Sequence, residues 1–393
     1  MSLKSLVKKT IPPQFYHLAA QAYQLKSVPH YWFPYAFMNG KAFHPTVLTF
    51  EATFRCNLNC VMCPQAIDRQ QDESKLFHNV SSREELTTKE TQTVLEQAAA
   101  LGVEQFAITG GEPLIRPDAI DLLRFAKSLG LTTLLLTNGT LIKEQTVEKM
   151  MEAGIGSISF SLDGPKETHE AIRKIKGSFD KLMQAIHLIQ EAKARKNVLT
   201  PKLYLHQTIS SLNVSTLTET MTLAEELGVD ISFGYLFYTT KEMEEQTNQL
   251  FEMGLSKDEN QEVEASLKQL DYRQLQEQVE QVMARAKQSK IRVNFLPPLQ
   301  GSEVFRRFFE DEKYAYATKC FYPWYALRLN PYGDIYPCSM GVTMGNVREQ
   351  NLDAIWNGEK YVRFRRALKK QKLFPKCAKC CVLNTKLWSH LPA

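Results

Sequence analysis

The sequence contains no long hydrophobic run. Nowhere among its 393 residues do about 18 consecutive apolar residues occur, the length that a membrane-spanning helix needs. The first residues, MSLKSLVKKTIPPQF, carry lysines but do not lead into the apolar core of a signal peptide. The sequence therefore predicts neither a membrane-spanning nor a secreted protein, and we expect a cytoplasmic location.

An excess of charge of one sign is also lacking. The formal net charge is only +5, and the 48 lysines and arginines are spread along the chain rather than gathered in a run. This distribution does not predict nucleic acid as a partner. With 44% hydrophobic and 23% charged residues, the composition is that of a globular protein, and the chain is long enough for a barrel-sized domain and a smaller one.

Cysteine is absent between positions 63 and 320. The eight cysteines therefore form two separate groups. They are Cys56, Cys60 and Cys63, followed by Cys320, Cys338, Cys377, Cys380 and Cys381. Disulfide frameworks are typical of small secreted domains, whereas this chain has the size of a cytosolic enzyme and no export signal. Grouped thiols in a reducing compartment indicate metal binding or redox chemistry.

Strand and helix patterns alternate from residue 46 onward. Six segments rich in β-branched or aromatic residues predict strands at 47–53, 105–109, 132–137, 157–162, 203–209 and 230–237. The segments between them have helical patterns, and four of these close on glycine. Repeated βα units predict parallel strands with right-handed crossovers, an α/β arrangement that forms a closed or partial barrel.

Three regions follow from this pattern: an N-terminal extension over 1–44, a barrel with a following helix over 45–300, and a C-terminal domain over 301–393. The following helix is predicted near 260–289, where a stripe of apolar residues indicates a core-facing side. The stripe is Val263, Leu267, Leu270, Leu275, Val279, Val282 and Ala286. The extension combines lysines with the aromatic stretch YWFPYAF, which predicts either packing over the barrel or contact with a membrane surface or an amphiphilic substrate.

The stretch TFRCNLNCVMCPQ follows the first predicted strand directly and places Cys56, Cys60 and Cys63 at the spacing C-x3-C-x2-C. It lies in the first βα loop, at the end of a barrel where active sites are built. Three thiolates are one short of the four that close an iron–sulfur or zinc site, so one metal position stays open to another ligand. Bound zinc is the alternative, but no fourth cysteine or matched pair of histidines lies near in the sequence.

The stretch AITGGEPLIRPD follows the second predicted strand, so its loop neighbours the cysteine loop. Gly110 and Gly111 let the backbone approach a bound molecule, and Pro113 restricts the turn. Glu112 is an anion that suits a cationic amine. Alone, the motif also fits an ordinary tight turn, but beside the three cysteines it indicates a binding site.

Together these motifs resemble those of the radical S-adenosylmethionine (SAM) superfamily, from about Thr49 to Gly228. The resemblance implies a partial (β/α)6 TIM-like barrel in which the first three cysteines hold a [4Fe-4S] cluster that binds SAM. Met62 departs from the aromatic residue that many members carry beside the adenine. The resemblance implies SAM contacts from Thr109, Gly110, Gly111, Glu112, Pro113, Asn138, Ser161, Asp163 and Arg173.

For Asn138, Ser161, Asp163 and Arg173 a purely structural role is the alternative, and one histidine also leaves two interpretations open. Ser161 and Asp163 alternate with apolar residues, so some of these side chains are expected to point into the barrel or to its rim, but Asp163 also begins an ordinary Gly-Pro turn. His206, on the fifth predicted strand, either faces the barrel interior near a substrate or is a core histidine with satisfied hydrogen bonds. His78 follows the cysteine loop in a polar stretch and is expected to be exposed.

The C-terminal cysteines form a second candidate metal site. The stretch LRLNPYGDIYPC predicts a hairpin that ends on Cys338. Its Gly-x4-Cys spacing resembles the SPASM/twitch domain of radical SAM enzymes, which implies one auxiliary [4Fe-4S] cluster held by Cys320, Cys338, Cys377 and Cys380. A structural zinc ribbon is the alternative. Cys381 is left over as a spare ligand, a buried thiol or a hydrogen-atom donor, and in the last role it is the candidate catalytic residue.

The resemblance implies reductive cleavage of SAM to a 5′-deoxyadenosyl radical, which then removes a hydrogen atom from a substrate. We expect oxidation or epimerisation of a sugar-like, cyclitol-like or amphiphilic alcohol, with modification of a ribosomal peptide or protein side chain as the alternative. A non-enzymatic metal-binding or electron-transfer protein is a third interpretation, but it leaves the SAM motifs without a purpose. A flavodoxin or ferredoxin is the implied electron donor.

Overall fold

A ten-stranded sheet forms the centre of the described part of the protein. The structure is a computed structural model that describes residues 29–63, 83–250, 269–339, 341–381 and 383. Within these residues the strand order is β10-β9-β8-β1-β2-β3-β4-β5-β6-β7. The strands are β1 (Val47–Glu51), β2 (Gln105–Thr109), β3 (Thr132–Thr137), β4 (Ser157–Ser161), β5 (Lys202–Ile209), β6 (Asp230–Tyr235), β7 (Val293–Leu296), β8 (Ala326–Leu329), β9 (Asp334–Tyr336) and β10 (Gly345–Asn346).

Helices connect and cover these strands. They are α1 (29–37), α2 (Thr88–Leu101), α3 (Ala119–Ser128), α4 (Glu144–Ala153), α5 (Lys166–Arg173), α6 (Ser178–Arg195), α7 (Leu217–Leu227), α8 (Lys241–Leu250), α9 (Tyr272–Ala286), α10 (Ser302–Glu310), α11 (Leu352–Trp356) and α12 (Glu359–Gln371). The strands from β1 to β7 pair in parallel. The predicted α/β class with successive βα units is confirmed.

Local sequence signals account for the helix boundaries. Thr87 caps α2 through a reciprocal capping box, in which its side chain accepts from the amide of Glu90 and the Glu90 carboxylate accepts from the amide of Thr87. Gly102 and Gly154 end α2 and α4 in the left-handed conformation that glycine adopts without strain. Both helices therefore end at the glycines that the sequence predicts as their C-terminal caps.

Side chains along the barrel strands alternate between a core face and a cavity face. Phe50, Phe106 and Phe160 are fully buried and belong to the hydrophobic core between sheet and helices. The alternate positions on β4 and β5 are only partly buried, and Ser161 and His206 are among them. The core face thus packs in the hydrophobic core, while the other face carries polar side chains that can line a binding site.

The sheet continues across the predicted domain boundary near residue 300. Strand β8 pairs in parallel with β1, so that Val47 lies opposite Ala326. Strands β8 and β9 form the predicted hairpin, with Leu329 opposite Ile335, and β10 follows. The C-terminal cysteines are therefore anchored to the same sheet that positions the first cysteine loop.

The flanking segments agree with their predicted packing where the structure describes them. In α9, Leu275, Val279 and Val282 are buried, which confirms the core-facing stripe from Leu275 onward. Leu270 precedes the helix, which begins at Tyr272, and Val263 and Leu267 lie outside the described residues. Residues 1–28 and His78 also lie outside them. In the part of the chain that the structure describes, no helix has the length and apolar character needed to span a bilayer.

Candidate functional site

A cavity of ≈400 Å³ lies at the carboxyl ends of the parallel strands. This is the edge at which α/β barrels build their active sites. Its lining brings together predicted site residues from separate βα units, namely Cys56, Cys60, Cys63, Thr109, Gly110, Gly111, Asn138, Ser161 and Arg173. It also includes Leu58, Met62, Leu136, Thr137, His206, Thr208, Gly234, Tyr235, Leu236, Phe237 and Cys381.

The two glycines hold the second loop against the cysteine loop. The amide of Gly111 donates to the carbonyl of Thr53 at 2.7 Å, and the amide of Glu112 donates to the carbonyl of Arg55 at 2.9 Å. A Cβ atom at Gly111 would lie 2.2 Å from the Arg55 carbonyl oxygen, and one at Gly110 would lie 2.3 Å from that of Thr53. Glycine is therefore required here for backbone to approach backbone, as well as to line the cavity.

Glu112 lies behind the cavity wall. Its side chain is fully buried and accepts hydrogen bonds from the Thr137 hydroxyl at 2.8 Å, the Asn138 amide at 2.8 Å and the Leu114 amide at 3.1 Å. Burial raises the pKa of this carboxyl, and the three hydrogen bonds oppose that effect. Glu112 thus joins the loops after β2 and β3, and its predicted contact with an amine stays a prediction. Pro113 is buried and opens a 3₁₀ turn.

Arg173 joins α5 to the cysteine loop. Its Nε pairs with the fully buried Asp163 carboxylate at 2.6 Å, and its Nη1 donates to the Cys60 sulfur at 3.4 Å. Burial raises the pKa of the Cys60 thiol to about 12, and the Arg173 charge acts against this rise. Arg173 therefore favours a thiolate at Cys60, which is the form that binds metal. Asp163 holds Arg173 in place and accepts from the Thr208 amide.

Two asparagines connect the cysteine loop to the loop after β3. The Asn138 side-chain amide donates to the Asn57 Oδ1 at 3.0 Å, and the Asn57 side-chain amide in turn donates to the Thr140 hydroxyl at 2.8 Å. Asn57 was not singled out from the sequence, although it lies between two of the motif cysteines. Its position inside C-x3-C was the available signal.

His206 lies on the cavity face of β5. Burial, and then the charge of Arg173, lowers the pKa of its imidazole to about 4, so the ring is neutral near pH 7. A Cβ atom at Gly234 on the neighbouring strand would lie 2.9 Å from the His206 Cε1. Gly234 therefore leaves the space that the imidazole occupies, and a glycine inside a strand is the sequence signal that could have identified it.

A second, smaller cavity is lined by the other predicted cysteine ligands. Cys320, Cys338, Cys377 and Cys380 share it with apolar side chains that include Tyr322, Leu368 and Leu383. Burial raises the pKa of the Cys377 and Cys380 thiols, and the neighbouring cysteines raise both further. Four close thiols in an apolar enclosure are unfavourable as separate thiolates, and bound metal removes that cost. The donor set fits an iron–sulfur cluster.

No group of three or more His, Cys, Asp or Glu side chains among the described residues converges as ligands of a single metal ion. The thiolates of a [4Fe-4S] cluster bind separate irons and therefore stand farther apart than the ligands of one ion. At the first cavity, three thiols face a space with room for a further ligand, and Arg173 stabilises a thiolate there. The residues present fit a cluster with one open position.

The two cavities adjoin each other. Phe237 lines both of them, and the consecutive Cys380 and Cys381 line the second and the first, respectively. Cys381 lines the predicted SAM cavity and is not among the residues that line the cavity of the four other cysteines. The two thiols are consecutive in the stretch CAKCC, yet they line different cavities.

Two family models match the chain. Residues 50–213 match the radical SAM superfamily, and residues 320–381 match SPASM, an iron–sulfur cluster-binding domain. The first domain implies a [4Fe-4S] cluster and SAM, and the second implies auxiliary iron–sulfur clusters. Both matches cover the cysteines whose geometry is described above.

Individual relatives agree with these domains. AdoMet-dependent heme synthase of Methanosarcina barkeri is 28% identical over 86% of this chain and 88% of its own length. PqqA peptide cyclase of Gluconobacter oxydans is 34% identical over 47% of each chain.

Among solved structures, Streptococcus suis SuiB bound to S-adenosylmethionine has a TM-score of 0.62 at 19% identity, covering 87% of this chain and 73% of that one. At this identity the likeness concerns the fold. The protein is an enzyme, and its chain belongs to the radical SAM superfamily and carries a C-terminal SPASM iron–sulfur cluster-binding domain.

Proposed function

We propose that this enzyme oxidises an amphiphilic organic substrate by two electrons, removing one hydrogen atom and then one electron and one proton. The observation that carries the proposal is the adjacency of the two cavities, which share Phe237 and the pair Cys380 and Cys381. An electron acceptor beside the cavity in which a substrate radical forms favours oxidation over return of a hydrogen atom.

The cluster that Cys56, Cys60 and Cys63 would hold would supply an electron for SAM cleavage. An auxiliary cluster, which the four cysteines of the second cavity would hold, would supply an acceptor for a second electron. The chain's own residues hold and enclose these groups. Leu136, Leu236 and Phe237 give the cavity an apolar wall that limits the access of water. His206, which is neutral near pH 7, is able to accept the proton that the oxidised substrate releases.

The substrate class is supported by the relatives. AdoMet-dependent heme synthase of Methanosarcina barkeri is matched over most of both chains, so an iron tetrapyrrole is the first amphiphilic molecule to test. The sequence led us to expect oxidation or epimerisation of a sugar-like or cyclitol-like alcohol, and the relatives do not support that expectation. A flavodoxin or ferredoxin remains the predicted electron donor.

Modification of a peptide is the second candidate. PqqA peptide cyclase of Gluconobacter oxydans is more identical to this chain than the heme synthase is, although over about half of the length. This match covers about half of each chain, whereas the heme synthase match covers 86% of this chain and 88% of that relative, and for this reason the peptide is placed second.

The test uses enzyme purified without oxygen and loaded with iron and sulfide. It is given SAM with a peptide panel or with Fe-coproporphyrin III, the iron tetrapyrrole that appears in the name of another relative, Fe-coproporphyrin III synthase of Methanosarcina barkeri. We expect the wild type to form 5′-deoxyadenosine and an oxidised tetrapyrrole. Cys60→Ala should form neither, whereas Cys377→Ala/Cys380→Ala should still cleave SAM without releasing oxidised product.

Oxidised product from Cys377→Ala/Cys380→Ala at the wild-type rate would show that the auxiliary site accepts no electron. Mass change of a peptide, with the tetrapyrrole unchanged, would replace the first candidate by the second. Dithionite and a reduced flavodoxin are compared as donors, since dithionite bypasses the need for a protein partner.

A further inference from the structure

We propose that α1 and α12 form a surface that docks on an anionic phospholipid bilayer. The surface has two parts. The aromatic patch consists of Trp32, Phe33, Phe37 and Phe43, and the basic stripe consists of Arg363, Arg366 and Lys370. The proposal is independent of the substrate and the reaction proposed above.

Helix α1 is apolar on both of its faces. Tyr31 and Tyr35 are buried, with ring centroids 5.0 Å from Phe321 and 5.0 Å from Trp324, respectively. The opposite face carries Trp32, Phe33 and Phe37. A helix that is apolar all round is normally covered on every side, and here one face packs on the protein while the other is open.

The open face is a continuous group of rings. Trp32, Phe33, Phe37 and Phe43 are 46%, 45%, 65% and 40% exposed. Phe37 contacts both Trp32 and Phe33, at centroid distances of 5.7 and 5.1 Å, and Phe43 stacks on Phe33 at 6.1 Å. Isolated exposed aromatic residues are ordinary, but a contiguous group marks an interaction surface.

The basic stripe borders the aromatic patch. Arg363, Arg366 and Lys370 are exposed and share one face of α12, at the helical spacing i, i+3 and i+7. The Nε of Arg366 donates to the Asn39 carbonyl at 2.8 Å, and the Nζ of Lys369 donates to the Ala36 carbonyl at 2.9 Å, which fixes α12 against the C-terminal end of α1.

The charge of the adjoining sequence has the same sign. The first 50 residues contain five lysines and no Asp or Glu, and Lys41 is exposed between Phe37 and Phe43 in the sequence. Aromatic residues that enter the interface and cations that meet lipid headgroups are the composition of a bilayer-surface element. An acidic redox protein would match the charges, but such transient contacts are small and do not require four large exposed rings.

The experiment is flotation of the full-length, cluster-loaded protein with vesicles of phosphatidylcholine, with and without phosphatidylglycerol. We expect binding to the anionic vesicles that weakens with added salt. Trp32→Ser/Phe37→Ser should lower the bound fraction at least about tenfold. Each of Arg363→Gln and Lys370→Gln should lower it about fivefold, since a basic residue near the surface contributes about 1 kcal/mol.

Leu199→Ser is the matched control, because Leu199 is 89% exposed and lies in the loop between α6 and β5, outside the docking surface. It should leave flotation unchanged, and unchanged far-UV circular dichroism checks the fold of every variant. Equal flotation of wild type and Trp32→Ser/Phe37→Ser, or none for either, overturns the proposal.

Two further outcomes would also overturn it. If the aromatic variant alters only the rate of cluster reduction by a reduced flavodoxin, the surface docks an electron carrier. If it instead abolishes a concentration-dependent dimer in size-exclusion chromatography, the surface is covered by a second copy of the chain.

Discussion

Gly111 is the residue at which the two signature loops come closest together. A Cβ atom there would lie 2.2 Å from the carbonyl oxygen and 2.7 Å from the carbonyl carbon of Arg55, and backbone atoms cannot move aside as a side chain end can. We expect Gly111→Ala to displace the cysteine loop and to lower SAM cleavage about 100-fold, the scale of loss that a small misplacement causes.

The measurement is 5′-deoxyadenosine formed per minute, together with iron content. Gly130→Ala is the control, because no atom lies within 4 Å of a Cβ built at that position, although its positive φ adds strain. Because Gly111, unlike Gly130, has no φ in the left-handed region, strain of that kind cannot account for its loss. Comparable loss in both variants would therefore mean that general destabilisation, and not the contact with Arg55, explains the effect.

Substitution of Cys381 tests whether this thiol is separate from the four predicted ligands of the auxiliary cluster. Because it lines the first cavity while Cys380 lines the second, we expect Cys381→Ser to retain the iron content of the wild type. Cys380→Ser should lose up to about four irons, the content of one [4Fe-4S] cluster. Equal iron loss from the two variants would place Cys381 among the cluster ligands.

His169 makes folding stability depend on pH. Burial, and then the charge of Arg173, lowers the pKa of its imidazole to about 3, and its Nδ1 accepts a hydrogen bond from the Asp163 amide at 3.2 Å. The unfolded chain takes up this proton near pH 6.5, whereas the folded chain does so only near pH 3. The stabilisation is therefore complete above pH 6.5 and is lost as the pH falls through this window.

We expect His169→Gln to reduce the slope of unfolding free energy against pH by up to about 1.4 kcal/mol per pH unit between pH 6.5 and 4. Denaturant unfolding of the metal-free protein measures this slope. His187→Gln, on the exposed side of α6, should leave it unchanged. An unaltered slope in His169→Gln would mean that the imidazole is protonated in the folded chain.

At the scale of elements, α9 depends on a narrow buried stripe. Leu275 is fully buried against the core, whereas Met283 in the same helix is 43% exposed. We expect Leu275→Ala to lower the free energy of unfolding by about 2–5 kcal/mol, through lost burial and the remaining cavity. Met283→Ala should change it by less than about 0.5 kcal/mol. Urea titration compares them, and equal effects would contradict the assigned orientation.

The whole molecule is expected to unfold as one unit, because β8 pairs with β1 and continues the barrel sheet. The four tryptophans provide a selective probe, since they stand at 32, 324, 356 and 388 and none lies between 33 and 323. Their fluorescence reports on the two ends of the chain, while far-UV circular dichroism reports mainly on the barrel helices. We expect both signals of the metal-free protein to change at the same denaturant concentration. Two separate midpoints would indicate independent domains.

Much of the fold was predictable because its signals are local. The six predicted barrel strands appear within a few residues of their expected ends, and the Gly-terminated helices lie between them. Helix capping, strand propensity and turn residues act over a few positions, so a linear sequence carries them. The expected hairpin before Cys338 followed from the same kind of signal.

The sequence by itself determined the chemistry, since the spacing of Cys56, Cys60 and Cys63 and the adjoining glycine motif specify a radical SAM enzyme before any coordinates are known. Tertiary structure alone decided that Glu112 is buried behind the cavity wall, that Cys381 lines the first cavity, and that the aromatic side chains on one face of α1 are exposed. These features depend on contacts between segments far apart in the chain. No local pattern specifies which distant surface a side chain meets, and only the packing of the sheet, the helices and the C-terminal region settles it.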